Sequence, residues 1–229
     1  VLFGANSQRI QRIEFDGGEP SDLTGVLPFE GTTESDTIVG TVLAETITGG
    51  AGDDQLQGGN GLDVYVFAPG FGTDTITESS GADGGIIRFE GGITPEDVRL
   101  FRDPSDPRNL IVEVGADSIT VANQYNSSSA TATVRSAIGQ IEFTDGSDPI
   151  DLTSDGLAFE GTEANDTLFG SDEDNALNGL GGNDTILDGN GASTITGGAG
   201  DDQLQGGNGL EVYVFAPGFG TDTITERLG

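Results

Sequence analysis

Thirty residues, Gly49 to Glu78, read GGAGDDQLQGGNGLDVYVFAPGFGTDTITE and return at Gly197 to Glu226 with one change, Asp63 becoming Glu211. Identity that close marks an internal duplication. Inside each copy runs a beat of nine, which also extends upstream. The first array reads GTTESDTIV (31–39), GTVLAETIT (40–48), GGAGDDQLQ (49–57) and GGNGLDVYV (58–66). The second reads GTEANDTLF (161–169), GSDEDNALN (170–178), GLGGNDTIL (179–187), DGNGASTIT (188–196), GGAGDDQLQ (197–205) and GGNGLEVYV (206–214). Each array closes on FAPGFGTDTIT.

Shorter echoes show how the arrays differ. IQRIEF at 10–15 matches IGQIEF at 138–143 at an offset of 128, and FEGT at 29–32 matches 159–162 at 130. The long duplicate lies at 148, so the offset has grown from 130 by eighteen residues, two whole nonamers. A stretch inserted in that unit, with matches intact on both sides, is one coil of a solenoid.

The eighth position of every nonamer is apolar: Ile38, Ile47, Leu56 and Tyr65, then Leu168, Leu177, Ile186, Ile195, Leu204 and Tyr213. One inward residue between two outward ones suits a very short strand. The six residues before it are rich in Gly, Asn and Asp and suit a turn with positive φ and close backbone approach. Glycine at that density excludes helix. The expected fold class is therefore all-β, a parallel solenoid of nonapeptide repeats in two arrays joined by a β-rich connector. Four parts are expected: 1–30 as the strand and linker ending a preceding module, 31–78 the first array, 79–150 the connector, and 151–229 the second array.

Within the connector, Thr94-Pro95-Glu96-Asp97 carries the signals of a short helix start. Leu110–Val114 and Ser118–Val121, either side of Gly115-Ala116-Asp117, form an expected hairpin. Asn126 to Ala130 is a Ser-rich loop, and Ile141–Phe143 before Asp145-Gly146 a further strand and turn. Its arginines are expected in surface ion pairs with the excess acid. Tyr65 and Tyr213 are expected to fill the core at the end of each array, with Phe67, Phe71, Phe215 and Phe219 covering the last coil.

Charge narrows the partners. The 229 residues carry 39 acids against eight bases, a net charge of −31. A chain that acidic stays unfolded unless something neutralises it. Nucleic acid and anionic membrane both need a positive surface and are excluded as partners; no apolar run is long enough for membrane insertion. Divalent cations are the natural counter-charge. With no Cys there is neither a disulfide framework nor a thiolate site. No initiator Met or signal peptide opens the sequence, which reads as a processed chain or a piece of a longer one.

The nonamers resemble the repeats-in-toxin (haemolysin-type) calcium-binding nonapeptide, G-G-x-G-x-D-x-U-x, with GGAGDDQLQ and GGNGLDVYV matching at every fixed position. Residues 86–146 resemble more loosely the calcium-binding-related region that often follows such arrays. The resemblance implies a calcium-bound parallel β-roll, export of an unfolded chain, and folding outside the cell.

Physical chemistry supports the same ion. With nine residues per half-coil, turns eighteen apart stack on one edge at about 4.8 Å, and the sixth-position acids form files. Two carboxylates about 5 Å apart repel by roughly 0.8 kcal/mol in water and about 3 kcal/mol at an effective dielectric of 20. A hard dication taking six to eight oxygens reverses the sign, and Ca²⁺ suits this better than Mg²⁺, which demands tight octahedral geometry. One edge carries Asp36 and Asp54, then Asp166, Asp184 and Asp202. Asp74 and Asp222 extend it only if the eleven-residue step before them keeps register. The other edge carries Glu45 and Asp63, then Asn175, Ser193 and Glu211. Several Ca²⁺ ions are expected on the first edge, held by these Asp residues with backbone carbonyls near Gly50, Gly52, Gly198 and Gly200. On the second edge, Asp63 gives the first array room for one ion. The second array should be poor or empty there, Asn175 and Ser193 hydrogen-bonding up the stack instead.

No His, Cys or Lys is present, which removes Ser–His, thiol, and zinc–His chemistry. Paired carboxylates could serve glycoside chemistry, but each sixth-position acid has a structural explanation, so no catalytic residue is assigned. The glycine turns lack the Lys and helix of a phosphate cradle. An outward Thr file for sugar or ice binding is interrupted by Gln55, Gln57, Val64 and Val66. The sequence thus points to a calcium-binding structural module of a secreted or cell-surface protein, folding on Ca²⁺ and stacking end to end as part of an extracellular fibre or long adhesin. The alternative is an accessory secretion and folding module attached to a secreted enzyme or toxin.

Overall fold

The computed structural model describes residues 12–13, 21–22, 28–78, 84–125, 137–154 and 156–227. The fold is all-β and is built mostly of parallel strands. The Ser-rich stretch 126–130 and most of the 10–15 echo lie outside the described residues; Arg12–Ile13 pairs antiparallel with Ser21–Asp22.

Each nonamer does what its pattern dictates. Gly-rich residues turn the chain, and three residues around the eighth position form a strand that lies on its counterpart one coil away. Thr37–Val39 pairs with Gln55–Gln57, bringing Ile38 beside Leu56. Thr46–Thr48 pairs with Val64–Phe67, bringing Ile47 beside Tyr65. In the second array Leu168, Ile186, Leu204 and Ile224 form one column, and Phe159, Leu177, Ile195 and Tyr213 the other. Two sheets thus face each other across a core about one side chain wide on each side. The step is eighteen residues except at the closing FAPGFG turn, where Leu56 meets Ile76 and Leu204 meets Ile224.

The connector continues the spiral. Gly85–Phe89 adds in parallel to Val64–Phe67, and Ile138–Phe143 adds in parallel to Gly85–Phe89. On the opposite sheet Asp117–Ala122 adds in parallel to Thr73–Thr77, and the expected hairpin with Leu110–Val114 then runs on to Val98–Arg102. The short helix is a single 3₁₀ turn, Pro95–Asp97. Thr94 N–H and Oγ1 donate to the Asp97 carboxylate, both at 2.9 Å, and the chain must extend at once because Val98 pairs with Val114.

Two expectations are corrected here. Phe67 and Phe71 do not cover an open last coil, because the connector buries them: their rings lie 5.0 Å apart, and Phe71 stacks 6.2 Å from Phe89. Nor are the connector arginines all surface ion pairs. Arg88 with Glu142 and Arg108 with Asp106 fit that description. Arg102, by contrast, is fully buried, its guanidinium 4.4 Å above the Tyr125 ring. It donates from Nε to the Pro107 carbonyl at 2.7 Å and from a terminal nitrogen to the Gly170 carbonyl in the second array. Arg99 donates to the Glu160 and Gly161 carbonyls at 2.9 and 3.2 Å. These bonds fasten the connector hairpin to the first coil of the second array.

Burial lowers the Arg102 pKa to about 10, still well above neutrality, so the side chain stays charged. Charge-assisted hydrogen bonds to buried carbonyls each contribute about 1.5–3 kcal/mol. Arg102→Met, which keeps much of the volume, is expected to lower stability by about 3 kcal/mol in urea unfolding at saturating calcium. A loss below about 0.5 kcal/mol would mean that this arginine does not join the two parts.

Candidate metal centres

The sixth-position acids line the inner corners between coils, and their two oxygens are unlike. On the first edge the Asp36 N–H donates to Asp54 Oδ1 at 2.8 Å, and the Asp54 N–H donates to Asp74 Oδ1 at 2.7 Å. The second array repeats this from Asp166 to Asp184 (2.8 Å), Asp184 to Asp202 (2.8 Å) and Asp202 to Asp222 (3.0 Å). Asp74 and Asp222 therefore do extend the file, the longer step being absorbed in the turn. On the second edge the Glu45 N–H donates to Asp63 Oδ1 at 2.8 Å. One oxygen of Asp54, Asp63, Asp74, Asp184, Asp202 and Asp222 thus ties its coil to the one before.

The other oxygen divides the corners into two kinds. Asp36 Oδ2 accepts from Thr32 N–H and Oγ1 at 2.6 and 2.8 Å. Asp166 Oδ2 accepts likewise from Thr162 at 2.6 and 2.7 Å. Glu45 takes the Thr41 N–H at 3.0 Å and its hydroxyl, and Asn175 Oδ1 takes the Ser171 N–H and hydroxyl at 2.7 and 3.0 Å. In contrast, Oδ2 of Asp54, Asp63, Asp74, Asp184, Asp202 and Asp222 is buried with no hydrogen-bond donor.

The second residue of the nonamer makes the difference. Where it is Thr or Ser, its amide and hydroxyl close onto the acid. At Gly50, Gly59 and Gly198 φ lies between +105° and +107°, and at Leu180 it is +74°; none of the four has a hydroxyl, and the acid four residues on keeps Oδ2 without a donor. Leu180 holds this left-handed conformation at a cost of about 1 kcal/mol. Strain of that kind concentrates where a site needs it.

The corners fit a hard cation. A Cβ on Gly179 would fall 2.2 Å from Asp184 Oδ2 and 2.3 Å from the Gly197 carbonyl oxygen, so a carboxylate and a carbonyl face one point. Carbonyls of one coil also press on glycines of the next: a Cβ on Gly50, Gly198 or Gly200 would lie 1.9, 2.0 or 1.8 Å from the Thr32, Leu180 or Gly182 oxygen. At Gly52 the approach is to Glu34, at 2.8 Å from its carbonyl carbon. Among the described residues no three acidic side chains converge on one point. The donor set is therefore mixed carboxylate and carbonyl oxygen, which is what calcium takes.

On the second edge of the second array the Asn175 N–H donates to Ser193 Oγ at 3.1 Å, the anticipated stacking bond. Sequence reasoning missed Asp188 there. It is fully buried, neither oxygen has a hydrogen bond of good geometry, and its only outward signal is an Asp where most nonamers begin with Gly.

Four overlapping stretches, 30–65, 39–76, 160–187 and 179–210, match the RTX calcium-binding nonapeptide repeat, and 109–148 match the haemolysin-type calcium binding protein related domain. A parallel β-roll with acid-lined corners defines a class, the calcium-binding structural repeat module. The chain belongs to the haemolysin-type, RTX calcium-binding nonapeptide-repeat family. No curated protein matches it. Among solved structures it is similar to the extracellular lipase LipA from Serratia marcescens at 17% identity and a TM-score of 0.37. That match covers 84% of this chain and 32% of the lipase, so the chain spans about a third of the lipase's length.

Burial raises the carboxyl pKa values, with neighbouring acids adding to it and the bond from the preceding coil opposing. Asp63 and Asp184 reach about 6 and Asp74 about 7, and Asp54 is also raised. Raised carboxyl pKa values favour the fold when protonated: the contribution is full below about pH 4 and is lost as pH rises through 6 to 7. Calcium-stripped protein is therefore expected to keep a cooperative melt at pH 5 and to lose it by pH 7.5, and calcium-saturated protein to be the more stable at pH 7.5. Thermal melts across that range with chelator or with calcium check both signs.

Proposed function

We propose that the chain is a structural module of a secreted or cell-surface protein that folds when calcium enters its corners. The observation that carries this is the set of six buried Asp oxygens without donors. Burying such charges uncompensated costs several kcal/mol per ion, more in sum than a domain's net stability. The ions are assigned to the first-edge corners of Asp54 with Asp74, Asp184 with Asp202 and Asp202 with Asp222, and to Asp63 on the second edge. Asp36 and Asp166, closed by their threonines, contribute to the outermost coils. Families of this kind are typically secreted or on the cell surface, where calcium is plentiful. Among the described residues no helix is long and apolar enough to cross a membrane.

We also propose end-to-end stacking, with a coil of a second repeat as the occupant of the outer face. The duplication supplies the comparison. In the first copy Phe67, Phe71 and Ile76 are at most 2% exposed beneath the connector strands, whereas Phe215, Phe219 and Ile224 of the second copy are 40–45% exposed. The same residues are built to be covered. Among the described residues, Val212–Tyr213 and Thr223–Thr225 are moreover outermost in their sheets.

Far-UV circular dichroism is expected to change from coil to β on adding calcium, with a midpoint raised at least tenfold in Asp54→Asn combined with Asp202→Asn. An unchanged spectrum in chelator would overturn metal-coupled folding. For assembly, negative-stain imaging of the calcium form is expected to show filaments that Phe219→Asp with Ile224→Asp abolishes. Discrete particles from the unmutated chain at every concentration would remove the stacking proposal.

A further inference from the structure

We infer that Asp188 creates an additional divalent-cation site on the second edge of the second array, between the coils of Asn175 and Ser193, with the carboxylate moved from the sixth position of its nonamer to the first. The inference rests on the reading that calcium occupies the corners. It assigns an ion to an edge where the sixth-position pattern provides none, since Asn175 and Ser193 are both neutral.

The geometry follows from comparing two glycines. At Gly179, on the first edge, a Cβ would lie 2.2 Å from Asp184 Oδ2 and 2.3 Å from the Gly197 carbonyl oxygen. At Gly170, the corresponding first position on the second edge, it would lie 2.2 Å from Asp188 Oδ1 and 3.2 Å from Asn175 Oδ1. The same small space is thus bounded by oxygens in both corners, but their sources have changed, and at Gly170 the Asn175 oxygen is already taken by the Ser171 N–H and hydroxyl, so Asp188 alone brings an unsatisfied oxygen. Asp188 Oδ1 stands where the next coil's carbonyl oxygen stands elsewhere, and the amide oxygen of Asn175 stands where the sixth-position carboxylate stands. The charge absent from position six has returned through position one.

Asp188 is 0% exposed, and neither of its oxygens has a donor of good geometry. The nearest donors, the Gly189 N–H and the Ser193 hydroxyl, fall short of hydrogen-bond geometry with it, while the Ser171 N–H and hydroxyl go to Asn175 Oδ1 and the Asn175 N–H goes to Ser193 Oγ. Burial raises its affinity for a proton, and its charged neighbours Glu211 and Asp174, both acids, add to that. Glu211 Oε1, one coil further on, is likewise buried without a donor. A hard dication satisfies two such carboxylates where a second hydrogen-bond donor could satisfy only one oxygen.

The test counts bound calcium per chain, by elemental analysis of saturated protein after gel filtration, with circular dichroism in calcium as the check on folding. Asp188→Gly restores the usual first residue and is expected to bind one ion fewer with an unchanged spectrum. Asp188→Asn keeps the shape and is expected to lose the same ion if the glycine variant does not fold. Asp188→Gly with Ser193→Asp, which returns the carboxylate to position six, is expected to regain it. Asp184→Asn is the control for the corner reading itself and is also expected to lose an ion. If Asp184→Asn loses an ion while both Asp188 variants keep the full number, Asp188 is buried as the neutral acid and the inference fails alone. If Asp184→Asn keeps the full number as well, the corner reading fails and takes the inference with it.

Discussion

The structure depends on a division of labour within a single carboxylate. In Asp54, Asp63, Asp74, Asp184, Asp202 and Asp222 one oxygen accepts the backbone N–H of the counterpart one coil earlier, or for Asp63 of Glu45, and the other is buried without a donor. The first contact sets the stacking and brings the charges within repulsive range. The second makes that stacking tolerable only when a cation or a proton is present. On the reading proposed above, winding and ion binding are one event, and the columns Ile47–Tyr65 and Ile186–Leu204 have only to fill the narrow space that results.

Much of this could be read from the sequence. The eighteen-residue step, the inward eighth residue and the acid file follow from the nonamer, because each is a local regularity repeated many times. The connector was less legible. Its hairpin was visible from Gly115 and the flanking alternation, but the parallel pairing of Asp117–Ala122 with Thr73–Thr77 spans some forty residues and has no local signature. The burial of Arg102 depends on Tyr125 above it and Gly170 beyond it, neither of which is near in sequence to the other.

At the site, the file was legible and the state of each member was not. Asp36 and Asp54 look equivalent as sixth-position acids, yet Thr32 closes the first and Gly50 leaves the second open. The distinguishing letter sits four residues before each acid. Asp188 escaped for a related reason: a search for acids at a fixed position overlooks one that reaches the same space from another. Backbone direction, set by the sign of φ at a single residue, decides which oxygens a corner offers.

The two arrays begin alike, with a Thr that seals the first corner, and end alike, with the same aromatic turn; between those ends the second has one more coil. Length is thereby separated from the terminal surfaces. A gene can add or drop an eighteen-residue winding, as happened between these two arrays, and the spacing between whatever the ends touch changes by one rung while the attachments themselves are preserved. The molecule is in that sense an adjustable spacer whose graduations are single eighteen-residue coils.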